Sequence, residues 1–428
     1  MRIIVTGIIA QHPSMGGVAW DYGQYAEGLR LLGHDVYYVE DSGEWPYNTD
    51  GGPSGDDYVA RDCDANIRHL ADTMLRFRMQ DRWSYRFPLT GAWYGMSDSK
   101  RTAVINSADA LINVSGTLEH PGEYRRIPRL AYIDSDPVFT QIKILNERAE
   151  RGSAMRSADT GSGIDARVEA HDVHFSFGEV LSATELSTGH RWRPTRQPIV
   201  LSHWRPESPA GNSFTTVMNW TSYRPVVYKG ETFGQKDGEF VRFLPLAMQV
   251  RPALMEVAMP ATQHSAWQAA SDENAPTSIE VAKVTTPHEL LKARGWSAVD
   301  SAIRCGDPES YRDYIEGSRA EWSVAKNGYV AKPSGWFSCR SACYLAAGRP
   351  VVVQDTGFPA VLPVGEGLFA FRELDEAVDA VREVNGNYQR HARAARELAE
   401  YFDSGTVLTR LLDHVMGSPV EDIVGAAR

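Results

Sequence analysis

The sequence predicts an α/β protein of two domains, and three observations carry that prediction. A strand-helix-strand unit closes within the first 40 residues, strand and helix signals alternate again across the second half, and the chain is long enough for two cores. At 428 residues with 43% hydrophobic content it exceeds one ordinary core and suits two domains of about 200 residues each.

Ile3 to Ile9 is a short, mostly apolar run, the pattern of a parallel strand buried on both faces. The loop from Ala10 to Gly17 follows, and then Tyr22, Tyr25, Ala26, Leu29 and Leu32 recur on one face at helical spacing. Gly33 stands where a left-handed residue ends a helix, and Asp35 to Glu40 reads as the second strand. Short connections of this kind favour a parallel sheet with right-handed crossovers. Ser42 to Asp57 is rich in Gly, Pro and Asp and reads as a surface loop. More strands are expected at Ala110 to Val114, Arg129 to Asp134 and His174 to Phe177.

Between Arg191 and Asn212 the pattern breaks into Trp, Arg, Pro, Ser and Gly, and Phe214 to Trp220 begins a fresh strand. The domain junction is expected there. Strands at Leu254 to Ala258, Ser297 to Asp300 and Glu321 to Ala325 alternate with helices near His288 to Ala293 and from Pro308 to Gly317. The Ala-rich segment from Tyr388 to Met416 reads as helical and long enough to cross back to the first domain. The expected division is 1–205, then 206–403, with a crossover helix at about 404–428 returning to the first domain.

Charge and composition narrow the function. The formal net charge is -11, and no basic block is present to neutralise a phosphate backbone, so nucleic acid is not expected as a partner. The run after Met1 stops short of a signal peptide's cleavage region and reads as a first strand. No window reaches the roughly 20 uncharged apolar residues of a membrane span, so a soluble cytoplasmic protein is expected. Four cysteines, Cys63, Cys305, Cys339 and Cys343, do not make a disulfide framework. Cys339 and Cys343 fall on one helix face, but no second pair or nearby histidine completes a metal site, and none is expected.

The densest signal runs from Lys332 to Gly357: a Gly-containing loop, a helix of small residues, a Gly348-Arg349-Pro350 stop, the strand Val351-Val352-Val353, and Gln354-Asp355-Thr356-Gly357. A loop entering a helix there aims free backbone amides and the positive helix end at an anion, with Ser338, Arg340 and Ser341 as extra donors. A diphosphate fits that description. An ordinary strand-loop-helix-strand with a Gly turn fits the same residues.

This segment resembles the donor-binding motif of GT-B glycosyltransferases, a Gly-aromatic loop and helix ending in Gly-x-Pro-Val-Val, here Gly335-Trp336 and Gly348 to Val352. Gly16-Gly17 followed by Gly33-His34-Asp35-Val36 is similar to their amino-terminal pattern. The resemblance implies two Rossmann-like domains facing each other across a cleft, with a C-terminal helix crossing back to the first. It further implies sugar transfer from a nucleotide-diphosphate donor, most simply a UDP-sugar, to an acceptor on the amino-terminal side, with neither a permanent cofactor nor a metal. The strand containing Asn219, with Gly234 to Gly238 after it, is similar to the segment where retaining members place a donor-phosphate lysine, which falls on Lys236. Gly16, Gly17, Asn219, Lys236, Gly335, Trp336, Ser338, Arg340, Ser341, Asp355 and Thr356 are the implied donor-binding residues.

The chain also departs from that family. Retaining members carry two glutamates across the loop and helix, and Ser334 or Gly335 and Ala342 or Cys343 stand in their places, which leaves the stereochemical outcome open. Asp355-Thr356 follows the strand after which inverting plant-type members hold sugar hydroxyls, so Asp355 is assigned to the sugar. The usual inverting base is a histidine after the first strand, and His12 occupies that loop, although a His before Pro also serves as a plain turn residue. Asp134 and Asp136 close a strand where ligands of α/β sheets collect, and either orient a base or form the turn before Pro137. His120, after Gly116, is a third candidate. Two alternatives share the architecture: a nucleotide-sugar epimerase and a non-catalytic sugar-nucleotide binding protein. A dinucleotide oxidoreductase ranks last, because the first turn offers only Gly16-Gly17 in place of Gly-x-Gly-x-x-Gly.

Overall fold

A computed structural model describes residues 1–48, 59–153, 163–206, 211–261 and 286–417. Most of the expected loop at 42–57 and the last residues of the expected crossover helix, 418–428, lie outside the described residues.

The first sheet has eight strands: β1 (Arg2–Thr6), β2 (Asp35–Glu40), β3 (Trp83–Arg86), β4 (Trp93–Gly95), β5 (Ala110–Val114), β6 (Arg129–Asp134), β7 (Val173–Ser176) and β8 (Trp192–Pro194). They lie in the order β4-β3-β2-β1-β5-β6-β7-β8, parallel except that β4 runs antiparallel to β3. Ile3, Ile4 and Val5 and all five residues of β5 are buried, the unbroken apolar pattern of central strands covered on both faces. With it in sequence go helices α1 (Gly16–Leu31), α2 (Asp64–Arg76), α3 (Asp98–Ser107), α4 (Phe139–Ser153) and α5 (Ile164–Glu169).

The second sheet contains β9 (Ser213–Val217), β12 (Leu254–Met259), β13 (Ser297–Asp300), β14 (Ala320–Ser323), β15 (Val351–Gln354) and β16 (Leu368–Phe371), while β10 (Val226–Tyr228) and β11 (Glu231–Phe233) form a separate hairpin. Its order is β13-β12-β9-β14-β15-β16, all parallel. The helices here are α6 (Lys236–Val241), α7 (Leu246–Gln249), α8 (Pro287–Ala293), α9 (Ser301–Arg304), α10 (Pro308–Gly317), α11 (Asn327–Ala331), α12 (Cys339–Ala346), α13 (Leu374–Gly386), α14 (Tyr388–Leu398) and α15 (Ser404–Met416). The architecture is α/β, with two parallel sheets and α1 lying between them against α10 and α15.

The expected helix from Tyr388 to Met416 is broken in two. A 3-10 turn at Ala399–Phe402 separates α14 from α15, and Asp403 caps α15 by accepting from Thr406 N at 2.9 Å. α15 packs on α1 and β6, where Gly28 admits Leu408: a Cβ at Gly28 would come within 2.6 Å of Leu408 Cδ1. Leu32, expected on the buried face of α1, is 38% exposed because it follows the last helical turn, and Gly33 ends the helix at φ +87°. The strand expected to reach Ile9 stops at Thr6. Beyond it the chain turns, and the amides of Ala10 and Gln11 donate to the buried Glu40 carboxylate at 2.8 and 2.7 Å. Burial pushes Glu40 up to about 7. Likewise the strand expected to reach Trp220 ends at Val217.

Candidate active site

A cavity of about 320 Å³ lies between the two sheets. Val114 and Ser115 at the end of β5, Ser135 after β6, and Val217, Met218 and Asn219 at the end of β9 line it, so it collects at the carboxyl ends of strands from both halves. Of the residues expected to bind donor, Gly17, Asn219, Lys236, Trp336, Ser338 and Arg340 line this one cavity.

Ser338 opens α12 without a side-chain cap, and the first bond across that turn runs from Ala342 N to Ser338 O. The amides ahead of Ala342 therefore have no helical acceptor, and the positive end of the helix dipole stands there. Three cations share the cavity wall. Arg340 is committed: Nε donates to Glu321 Oε1 at 2.6 Å, Nη1 to Val217 O at 2.8 Å and Nη2 to Ser323 Oγ at 2.9 Å. Lys326 pairs with Asp136 at 2.9 Å, and both hydroxyls of Tyr223 and Tyr329 donate to the same carboxylate. Lys236, the first residue of α6, makes no hydrogen bond or ion pair among the described residues. Loss of water around its ammonium, then Arg340 and Lys326 nearby, hold Lys236 well below its ordinary range.

Arg340 and the expected residues outside the lining each have a visible role. Arg340 lines the wall but is no free phosphate donor, since Glu321 already neutralises it. Gly16 spends its amide on Cys305 O at 2.8 Å across the two halves, not on a ligand. Gly335 is a glycine because it holds φ +80° and because a Cβ would come within 2.9 Å of Val180 Cγ2, where Val180 N donates to Ser334 O at 2.8 Å. Ser341 is buried against a second, far smaller cavity that Thr356 also lines, and the Thr356 hydroxyl donates to Trp336 O. Asp355 points away, accepting from Gly357 N at 2.7 Å and from Arg372 Nε at 2.9 Å.

None of the three expected catalytic residues lines the cavity. His12 packs against the Tyr47 ring at 4.9 Å, and burial pushes it down to about 4. Asp134 is buried and fully bonded, accepting from Thr140 Oγ1, Gln141 Nε2, Ser176 Oγ and the Asp136 amide, so it shapes the turn before Pro137. Asp136 belongs to the Lys326 cluster just described, which joins the halves together with a Trp336 Nε1 bond to Ser135 O at 3.2 Å. His120 lies in a half-exposed pair with Glu119 at 3.6 Å.

Sequence reasoning missed Asp21, Lys326, Tyr329 and Glu321, and took Tyr223 only for a loop aromatic able to stack on a sugar or base. Asp21 was legible only as a charged residue inside an apolar helix face one turn past Gly16-Gly17. Among the described residues no three His, Cys, Asp or Glu side chains gather as a metal-ligating group, and no helix is long and apolar enough to cross a membrane.

The close approach at Gly16 is testable. A Cβ there would overlap the backbone carbonyl of Asp307, which cannot swing aside as a side chain can. Gly16→Ala is expected to cost about 1–3 kcal/mol in thermal denaturation, as overpacking does. A variant as stable as the parent would show that the two halves do not meet there.

No family model and no curated relative matches the chain. Solved structures do. Anabaena HepE in complex with UDP-glucose superposes with a TM-score of 0.56 at 11% identity, covering 97% of this chain and 99% of that one. An alpha-glucosyltransferase in complex with UDP gives 0.54 at 12% identity, covering 97% and 100%, and the sucrose-phosphate synthase of Thermosynechococcus elongatus gives 0.51 at 11%, covering 98% and 100%. An alpha-glucosyltransferase has also been solved with UDP and a mismatch-containing DNA. At such identities the likeness shows the fold, and it is the two-domain GT-B fold.

Proposed function

We propose that this chain, built on the GT-B fold, transfers a sugar from a nucleotide-diphosphate donor to an acceptor held on the amino-terminal side of the cavity. The observation that carries the reading is Lys236, whose side chain makes no hydrogen bond or ion pair among the described residues, in a cavity whose wall also holds the unused first-turn amides of α12. Together they suit a diphosphate. In transfer, the bond from the sugar's anomeric carbon to the phosphate oxygen breaks as an acceptor hydroxyl oxygen bonds to that carbon, the hydroxyl proton passing to water or to the leaving phosphate. Lys236 and the α12 amides meet the charge that develops on the leaving nucleoside diphosphate, the role a divalent cation fills elsewhere. Gly17, Asn219, Trp336 and Ser338 complete the donor side.

Several further points support the reading's details. Two of the structural neighbours were solved with UDP or UDP-glucose, which favours a UDP-sugar. A net charge of -11 favours an acceptor other than the DNA in one neighbour's complex. Free thiols at all four cysteines favour the cytoplasm. We divide the chain into an acceptor-side domain, 1–205 with the returning segment from 404, and a donor-side domain, 206–403.

Thermal denaturation against UDP, GDP, ADP and their glucose derivatives tests the proposal. A ligand at 100 times its Kd is expected to add about 2.7 kcal/mol of stability. A selective rise identifies the base, and no rise with any of them removes the donor site.

A further inference from the structure

The hairpin β10–β11 stands apart from both large sheets, and the chain on either side of it runs to the cavity wall. It is reached from Asn219 through Ser222 and Tyr223, and it leads through Gly234 and Gln235 to Lys236; Asn219, Ser222 and Lys236 all line the cavity. Between those ends the hairpin crosses to the other half and lies on α4. Asn146 Nδ2 donates to Val227 O at 2.9 Å, the Lys143 ammonium stands 5.0 Å over the Tyr223 ring, and Phe139 meets that ring edge-on at 5.3 Å. The Tyr223 hydroxyl donates to Asp136, which also holds Lys326 at 2.9 Å, and Phe233 is buried in a cluster with Val138, Phe139 and Ile142. Outward of these contacts the hairpin is lightly held: Val227 is 54% exposed, and Lys229 and Gly230 turn at φ +51° and +81°. A two-stranded hairpin is marginal by itself, so this one keeps its place through its seat on α4. Such segments open at a fraction of the cost of global unfolding.

We infer that the β10–β11 hairpin is a gate on the cavity: it lifts from α4 to let a nucleotide sugar pass and, on reseating, returns Asn219 and Lys236 to the wall. The cargo named here rests on the donor reading proposed above, whereas the gate itself follows from the path of the chain. Its latch has two points, Tyr223 at the Asp136 carboxylate and Asn146 farther along α4. Breaking either one shifts the hairpin toward the lifted position and leaves both large sheets untouched.

Cys339, a free, half-buried thiol of the cavity wall, reports on the gate without any substrate. Its rate of labelling by fluorescein maleimide, a bulky reagent, is followed by peptide mass, and UDP-glucose dissociation is followed by surface plasmon resonance. Asn146→Ala deletes one exposed hydrogen bond and is expected to speed both about threefold to tenfold, with an unchanged melting temperature. Tyr223→Phe deletes a bond to a charged group and is expected to speed both by about tenfold or more. Labelling at the wild-type rate in both variants overturns the inference, and if UDP-glucose still binds, the donor reading stands. Faster labelling beside unchanged UDP-glucose dissociation also overturns it, since the donor then passes by another route. Faster labelling in proteins that do not bind UDP-glucose keeps the gate and removes the UDP-sugar reading.

Discussion

Replacing Lys236 with alanine is expected to lower sugar-transfer turnover by about a hundredfold to a thousandfold, the usual cost of deleting one preorganised donor to a developing charge. The expectation follows from what the other cations are doing. Arg340 is neutralised by Glu321 and Lys326 by Asp136, which leaves Lys236 as the cation of the cavity wall with no ion pair among the described residues. Loss of water around the ammonium, and then the neighbouring Arg340 and Lys326, hold its proton affinity down. Steady-state kinetics on a sugar nucleotide, with UDP binding measured alongside, checks it. Turnover in Lys236→Ala equal to wild type would place the leaving-group charge on some other residue.

Glu321→Ala is expected to have the largest effect on stability, about 3–5 kcal/mol, because it strands the Arg340 guanidinium without its counter-charge. Glu321 is fully buried and Arg340 nearly so, and the guanidinium also ties Val217 O and Ser323 Oγ, the ends of β9 and β14, to the first turn of α12. Losing the carboxylate therefore frees the helix end that presents the anion site. Calorimetric melting is expected to drop by roughly 10 °C, given that 1 kcal/mol moves a unit of about 200 residues by 2–4 °C. Glu321→Gln keeps the volume and one hydrogen bond and should fall between the two. An alanine variant that melts with wild type would show that water, not Glu321, balances Arg340.

The fold was legible wherever strands were buried on both faces, since an unbroken apolar run between turn residues has few other readings. β1, β5, β6 and β15 are of that kind. β3, β4 and β8 were not found, because Trp83 to Arg86, Trp93 to Gly95 and Trp192 to Pro194 are short and mix aromatic, charged and small residues. Within the site, backbone motifs were legible and side-chain charge was not. The loop to α12 announced itself through glycines and small residues, as did the paired Gly16-Gly17. But Arg340 looked like a phosphate ligand until Glu321, nineteen positions earlier, was found at 2.6 Å, and the partner of Lys326 lies 190 residues away. Asp134 and His12 stood at the right strand ends yet turn into local networks, a matter of rotamer and packing that spacing does not encode.

The position of α15 has a consequence for how the protein is made. Leu408, Leu411, Leu412 and Val415 belong to the same buried cluster as Leu29, Ile3 and Ile133, and Ile199 pairs with Asp403 across a bridge. α15 follows β1, α1 and the entire second sheet in the chain, so the apolar seat beside Gly28 receives Leu408 only after that sheet has been synthesised. The amino-terminal half therefore completes this part of its core only once the chain beyond the second sheet has been made.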